Sequence, residues 1–141
     1  MDHFDQRVKI IWTDELSVGN VEIDNAHLKL LEIYNDLTEC LDTDKYKETL
    51  AIILSKMTDY YRDLFKKEEN KMQQMSYPDL IRHKKAHKQF VYHVAIYNLN
   101  LLSEHPPLIK DVILFLKKWW VNHILYNDKD CERFYKMAHP N

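Results

Sequence analysis

The chain has 141 residues, the length of a single domain, and its composition excludes several classes of protein. A formal net charge of −2 gives no basic excess, so no nucleic-acid partner is expected. No apolar run approaches the roughly 18 residues of a membrane span, so no membrane partner is expected either. One glycine and four prolines disfavour a turn-rich β fold and favour long helices. The two cysteines, Cys40 and Cys131, show no metal-ligand spacing, and we expect free thiols in a reducing, cytoplasmic compartment.

Apolar residues recur at three- and four-residue steps in four segments, which predicts four helices. About 20 residues precede them as an extended arm that ends at Gly19 and Asn20. The predicted helices run over about 21–41, 45–75, 79–102 and 108–137, with LDTDK, SYPD and SEHPP between them. Long helices joined by short loops run antiparallel to their sequence neighbours. The predicted fold is therefore all-α, an up-down-up-down antiparallel four-helix bundle with an N-terminal extended arm, in one domain covering residues 1–141.

Two histidines of the third predicted helix occupy positions that the apolar pattern assigns to the core. His83 and His87 are four residues apart and share a helix face with Leu80 and Phe90. Each buried imidazole has a donor and an acceptor to satisfy, and a metal ion would serve both rings. Two hydrogen-bonded core histidines are the alternative that this pattern leaves open.

Carboxylates and further histidines fall on the buried stripes of the other helices. Placing Leu64 in the core also places Glu68 there, one turn later, and directs Glu69 towards solvent. A buried carboxylate either keeps its proton or bridges metal ions. Asp128 lies five residues after His123, so the two can share a metal only where the helix is irregular or the aspartate reaches inward.

Every predicted helix therefore contributes at least one side chain that can bind a metal. The candidates are His27, Glu68, His83, His87, His123 and Asp128. Imidazole and carboxylate ligands without thiolates suit iron, zinc or manganese. Two known site types are excluded, because no glutamate is followed three residues later by histidine, as in ferritin-like sites, and Lys84 stands where a zinc-protease helix has glutamate.

Four segments, in order, resemble the hemerythrin family, and specifically its bacterial branch. They are WTDELSVGNVEIDNAHLKLL, FKKEENKMQQMSYP, HKKAHKQF and WVNHILYNDKD, and the resemblance covers nearly the whole chain. It implies a non-heme centre of two iron ions, bridged by carboxylates and an oxo or hydroxo group, that binds O₂ or another small diatomic or anionic ligand. By the same resemblance, the histidines of the third and fourth helices would bind one iron. Glu68 and Asp128 would bridge both irons, and His27 would bind the second, where O₂ lands.

The chain departs from the family pattern at Leu64, where the family has a histidine that binds the second iron. Three interpretations are open: a natural loss, an engineered substitution, or replacement by Tyr61 or Tyr60 one turn earlier. Ala26 and Cys131 also differ from the residues frequent there, a glutamine and an aromatic residue. Losing one imidazole should weaken the second iron more than the first.

The predicted function is O₂ binding for carriage, storage or sensing, without enzymatic activity. A free-standing carrier is favoured over a sensor, because 141 residues leave no room for an output domain. Two alternatives stay open: a di-iron enzyme with peroxidase- or oxidase-like activity, and a signalling bundle whose site is empty or holds one metal. The sequence does not predict an oligomeric state.

Overall fold

A computed structural model describes residues 10–41, 46–123 and 129–138 of the chain. These ranges contain a short 3-10 turn and five α-helices, and no β-strand. The prediction of an all-α fold is confirmed. The 3-10 turn spans Asp14–Leu16, and the helices are α1 (Val21–Glu39), α2 (Tyr46–Gln74), α3 (Leu80–Asn100), α4 (Ile109–Trp119) and α5 (Lys129–Ala138).

Side-chain caps set the position at which α1 begins. The Asn20 side chain accepts a hydrogen bond from the Ile23 amide at 3.1 Å, which satisfies one of the first free amides of the helix. Asp24, in the first turn, accepts from the Val18 amide at 2.8 Å and from the Ser17 hydroxyl. Gly19, which lies between Val18 and Asn20, has φ +82, a left-handed backbone conformation that glycine adopts readily. The cap thereby fixes the first turns of the helix that carries His27.

Ion pairs between α1 and α2 show that these two helices run in opposite directions. Lys67 lies 3.4 Å from Glu22, near the start of α1, while Lys56 lies 3.8 Å from Asp36, near its end. Residue numbers that rise along one helix therefore fall along the other.

Aromatic contacts connect α2, α3 and α4 through the core. The Phe90 ring lies 5.5 Å from Phe65 and 4.8 Å from Trp119, between centroids. One turn further along α3, the His93 ring stacks on Phe115 at 4.6 Å, so α3 and α4 are also antiparallel. Buried apolar residues of α1, α2, α3 and α4 form one core cluster.

A second, smaller core attaches α5 to the turn between α2 and α3. It contains Met72, Tyr77 and Cys131, with Phe134 packed against it. Cys131 is buried, Cys40 is partly buried, and the two are not joined in a disulfide. None of the helices in the described ranges combines the length and the apolar character needed to cross a bilayer.

Two regions differ in detail from the predicted elements. The predicted arm contains the 3-10 turn, and its residue Ile10 exchanges two 2.9 Å hydrogen bonds with the Asn35 side chain of α1. Residues 1–9 lie outside the described ranges. Within the predicted fourth helix the structure describes α4, a π-helical turn over residues 120–123 that contains His123, and α5, while residues 124–128 lie outside the described ranges. Such turns are rare within helices and occur frequently at functional sites.

We predict that the ion pair between α2 and α5 contributes measurably to stability. Lys71 Nζ lies 2.6 Å from a Glu132 carboxylate that is only 4% exposed, and 4.4 Å above the Tyr135 ring. Lys71→Met should therefore lower the free energy of unfolding by about 1–3 kcal/mol, because it leaves a buried carboxylate without its cation. Lys67→Met is the matched control. It removes an exposed pair with Glu22, and chemical denaturation should show a change of about 0.5 kcal/mol or less. Equal losses in both variants would contradict the prediction.

Candidate metal centre

Four buried side chains converge on one point in the bundle. Glu68 extends from α2, His83 and His87 from α3, and His123 from the π-helical turn after α4. One potential ligand atom from each residue lies within 4.8 Å of the others. All four residues are 5% exposed or less. Within the described ranges this is the one group of three or more histidine, cysteine or acidic residues with such spacing.

The three imidazole rings face one another at short range. His83 and His87 lie one turn apart on α3, with ring centroids 4.8 Å apart and nearly perpendicular planes. The His123 ring lies 4.4 Å from the first and 5.0 Å from the second. Glu68 Oε2 approaches His83 Nε2 at 3.6 Å and adds a carboxylate to this cluster. The sequence-based placement of all four side chains on buried faces is therefore matched by the geometry.

Aromatic rings stack against two of the imidazoles. Phe65 stacks on His87 with centroids 3.9 Å apart and an interplanar angle of 3°. Trp119 stacks on His123 at 4.1 Å and 17°. Parallel stacking restricts rotation of both imidazoles, and the same apolar rings keep water away from the centre. In the sequence, Phe65 and Trp119 are apolar helix residues with no sign of this role.

Glu69 does not have the role that the sequence suggested. We expected this side chain to face solvent, but it is 21% exposed and lies 2.8 Å from His87 Nδ1. The expectation was wrong because α3 packs closely enough beside α2 for the carboxylate to reach it. An Nδ1–H that donates to Glu69 leaves the His87 Nε2 lone pair for a metal, which is a common arrangement around metal-bound histidines. The one feature of the sequence that hinted at this contact is that Glu69 directly follows Glu68.

We predict that Glu69 tunes metal affinity without determining whether metal binds. Glu69→Leu should weaken affinity about 10- to 100-fold, because His87 loses the acceptor that fixes its ring and tautomer. Glu69→Gln retains an acceptor and should lie between that variant and the parent. Competition against a chelator of known affinity measures the difference. Unchanged affinity in both variants would show that the hydrogen bond has no influence on the centre.

The other predicted ligands are not part of the four-residue group. His27 on α1 is 0% exposed, so the prediction of a buried position is correct, but no ligand atom of His27 joins the cluster. Asp128 lies outside the described residues. The Tyr61 ring packs 6.2 Å from Phe65 and faces the groove between α2 and α3. Tyr60 packs against the same phenylalanine at 5.9 Å. Neither tyrosine joins the group of potential ligands.

Leu64 lies in the wall of a surface cavity between α1 and α2. The leucine is 5% exposed and sits one turn before Glu68 on α2. The cavity has a volume of about 280 Å³, and Ala26, the residue before His27, lines it as well. The structure thus brings two departures from the hemerythrin pattern to one place.

The residues present fit a metal ion. Burying three imidazoles and a carboxylate together costs free energy, because all four groups lose their contact with water. One cation would offset this cost by interacting favourably with all four. The donor set of nitrogen and oxygen without thiolate suits iron, zinc or manganese.

Comparisons with known proteins agree with this site. Residues 18–132 match the family model of the hemerythrin HHE cation binding domain. A bacteriohemerythrin of Clostridium acetobutylicum is 31% identical over 125 residues, which cover 85% of this chain and 96% of the relative. A myohemerythrin of Theromyzon tessulatum is 31% identical over 117 residues, covering 83% of this chain and 86% of the relative. With the histidine and carboxylate cluster inside the matched range, the chain belongs to the hemerythrin family.

Proposed function

We propose that this protein is a non-heme iron protein that binds O₂ or a related small ligand, and that it does not act as an enzyme. The observation that carries the proposal is the buried cluster of three histidines and one carboxylate in a chain of the hemerythrin family. The proposed ligands are His27, Glu68, His83, His87, His123 and Asp128. The three clustered histidines would hold one ion, His27 would hold the second, and Glu68 and Asp128 would contribute to both.

Each part of the chain has a distinct task in this proposal. Iron, when bound, supplies the redox-active Lewis acid that O₂ requires. His83, His87 and His123 would hold the first ion through neutral imidazoles, and the His87 Nδ1–H donates a hydrogen bond to the Glu69 carboxylate. Phe65 and Trp119 exclude water, which strengthens every electrostatic interaction inside the centre.

The cavity beside Leu64 supports binding of a small external ligand. The clustered side chains are almost inaccessible to solvent, so a ligand needs a path through the bundle. Leu64, one turn before Glu68, and Ala26, next to His27, both line the cavity between α1 and α2, and neither offers donor atoms of its own. We propose that this side of the centre is where the small ligand arrives, and that the second iron, with one imidazole fewer, is the more weakly held.

The remaining expectations stay proposals. We propose a single domain over residues 1–141, an up-down-up-down bundle of four long helices with an N-terminal arm, and a cytoplasmic location. The antiparallel contacts of α1 with α2 and of α3 with α4 support the arrangement. Cys40 and Cys131 are not joined in a disulfide, which supports a reducing compartment.

The metal-to-protein ratio, measured together with the visible spectrum, tests this function. Protein from iron-supplemented cells should contain more than one iron per chain and less than two, because the second position has lost one ligand. Exposure of the reduced protein to O₂ should produce near-ultraviolet and visible bands, and removal of O₂ should reverse them.

Three results would overturn the proposal or change its class. Zinc as the one metal present, or no metal after iron loading, would contradict iron-based O₂ binding. Sustained consumption of O₂ or peroxide with a reductant would favour the oxidase- or peroxidase-like alternative. A stable protein with one iron and no O₂-dependent spectrum would favour the signalling bundle.

A further inference from the structure

Positive charge is concentrated on one side of a chain whose overall charge is slightly negative. The sequence of α3 contains four lysines and arginines in its first half, and no aspartate or glutamate along its length. The four basic residues are Arg82, Lys84, Lys85 and Lys88. A groove between α1 and α2, by contrast, is lined by four acidic residues, Glu32, Asp36, Asp59 and Asp63, and by only two lysines, Lys29 and Lys56. With a net charge of −2, this separation creates a positive surface along α3 that can attract anions.

A groove between α2 and α3 collects part of this charge. Its volume is about 480 Å³, within the usual range of small-molecule sites. Arg62 and Lys66 of α2 and Lys88 of α3 line it, and all three are exposed. In the part of the chain that the structure describes, none of these three forms a recorded ion pair. Arg62 and Lys66 are also four residues apart on one helix, a like-charge arrangement that slightly destabilises an isolated helix.

The floor and walls of the groove are aromatic and apolar. Phe65 and Tyr61 of α2 lie on one side, with ring centroids 6.2 Å apart and planes at 33°. Tyr92 of α3, which is 63% exposed, lies on the other. Glu69 is the one acidic residue among those lining the groove, and its carboxylate is engaged with His87 Nδ1. Flat apolar surfaces under a cationic rim suit a planar ring that carries a negative group.

We propose that this groove binds a planar aromatic anion, a ring system bearing a phosphate or carboxylate group, of which flavin mononucleotide is the probe. The aromatic side chains contact the ring, and the three cations bind its anionic group. The volume and the aromatic floor favour a small molecule over the acidic surface of a partner protein. Because His87 lines the groove, the bound ring lies one side chain away from the metal centre, which suits a redox-active ligand. Binding itself needs no metal, so the inference can fail or succeed independently of the proposed function.

Fluorescence titration with flavin mononucleotide tests the inference, on the metal-loaded protein and on the metal-free protein. We expect saturable quenching in both forms, much weaker binding of uncharged riboflavin, and loss of affinity as salt rises. Lys66→Glu and Lys88→Glu should each raise the Kd roughly tenfold or more, because they reverse the charge that faces the anion. Lys118→Glu is the matched control: an exposed lysine of α4 outside the groove, whose reversal should leave the Kd unchanged.

Aromatic variants separate stacking from simple charge attraction. Tyr92→Ala should raise the Kd for flavin mononucleotide, while Tyr92→Phe should keep it near the parent value. Equal affinities for riboflavin and flavin mononucleotide would overturn the inference. So would equal effects of Lys66→Glu and Lys118→Glu, or no saturable binding at low salt. Salt-dependent binding that is unaffected by Tyr92→Ala would assign the groove to an anionic surface such as that of an acidic protein, and would also reject the proposed ligand class.

Discussion

Replacing Glu68 with alanine should remove most of the metal from the protein while leaving the helices intact. Glu68 is the one carboxylate in the described cluster, and its Oε2 lies 3.6 Å from His83 Nε2. In the proposed centre it bridges both ions, so its removal takes a ligand from each and leaves their positive charge less balanced. Elemental analysis after iron loading should show a loss of at least one iron per chain, and circular dichroism should show an unchanged helix content.

Two neighbouring variants make this experiment specific. Glu69→Ala should keep the iron content of the parent at saturating iron and lose affinity only in chelator competition, because Glu69 contacts His87 and not the metal. Asn70→Ala changes an exposed side chain on the same helix and should have no effect. Equal iron content in Glu68→Ala and Asn70→Ala would show that Glu68 is not a ligand. A complete loss of iron in Glu69→Ala at saturating iron would show that Glu69, and not Glu68, is the bridging carboxylate.

Leu64→His should increase the iron content and prolong the O₂-dependent spectrum. The position lies one turn before Glu68 on the same face of α2, where the resemblance to the hemerythrin family implies a histidine for the second iron. An added imidazole would complete the proposed ligand set of the second iron, and the leucine that it replaces lines the cavity between α1 and α2. Iron analysis should move towards two per chain, and stopped-flow mixing of the reduced variant with O₂ should show slower decay of the resulting bands.

Stability measurements show whether the new imidazole actually reaches a metal. Without iron, Leu64→His should lose about 2 kcal/mol of unfolding free energy, because a polar ring replaces buried leucine. Iron should recover much of this loss, since the metal binds the folded state. Leu64→Gln is the control, because it is also polar but offers no imidazole. It should show the loss without the recovery. Identical responses of the two variants to iron would mean that position 64 does not face the centre.

The helices and the buried histidines could be predicted from the sequence because both depend on local periodicity. Side chains three and four residues apart share a helix face, so His83 and His87 had to point the same way as Phe90. The same rule placed Glu68 with Leu64, and the structure buries both. The resemblance to the hemerythrin family added the order of the segments and the departure at Leu64, and the family match covers that region.

Contacts between helices were decided only by the tertiary structure. Periodicity assigns a residue to a face, but it does not say how closely the neighbouring helix packs or at which height its residues lie. Glu69 was therefore assigned to solvent, although α3 brings His87 within 2.8 Å of it. The apolar pattern continues across the π-helical turn at His123, so the sequence indicated an irregular helix there only as a condition for His123 and Asp128 to share a metal. The aromatic and cationic groove is visible only after α2 and α3 are packed, since Arg62, Lys66 and Lys88 are ordinary exposed residues in the sequence of each helix. The sequence by itself determined which side chains are buried, and packing determined which of them meet.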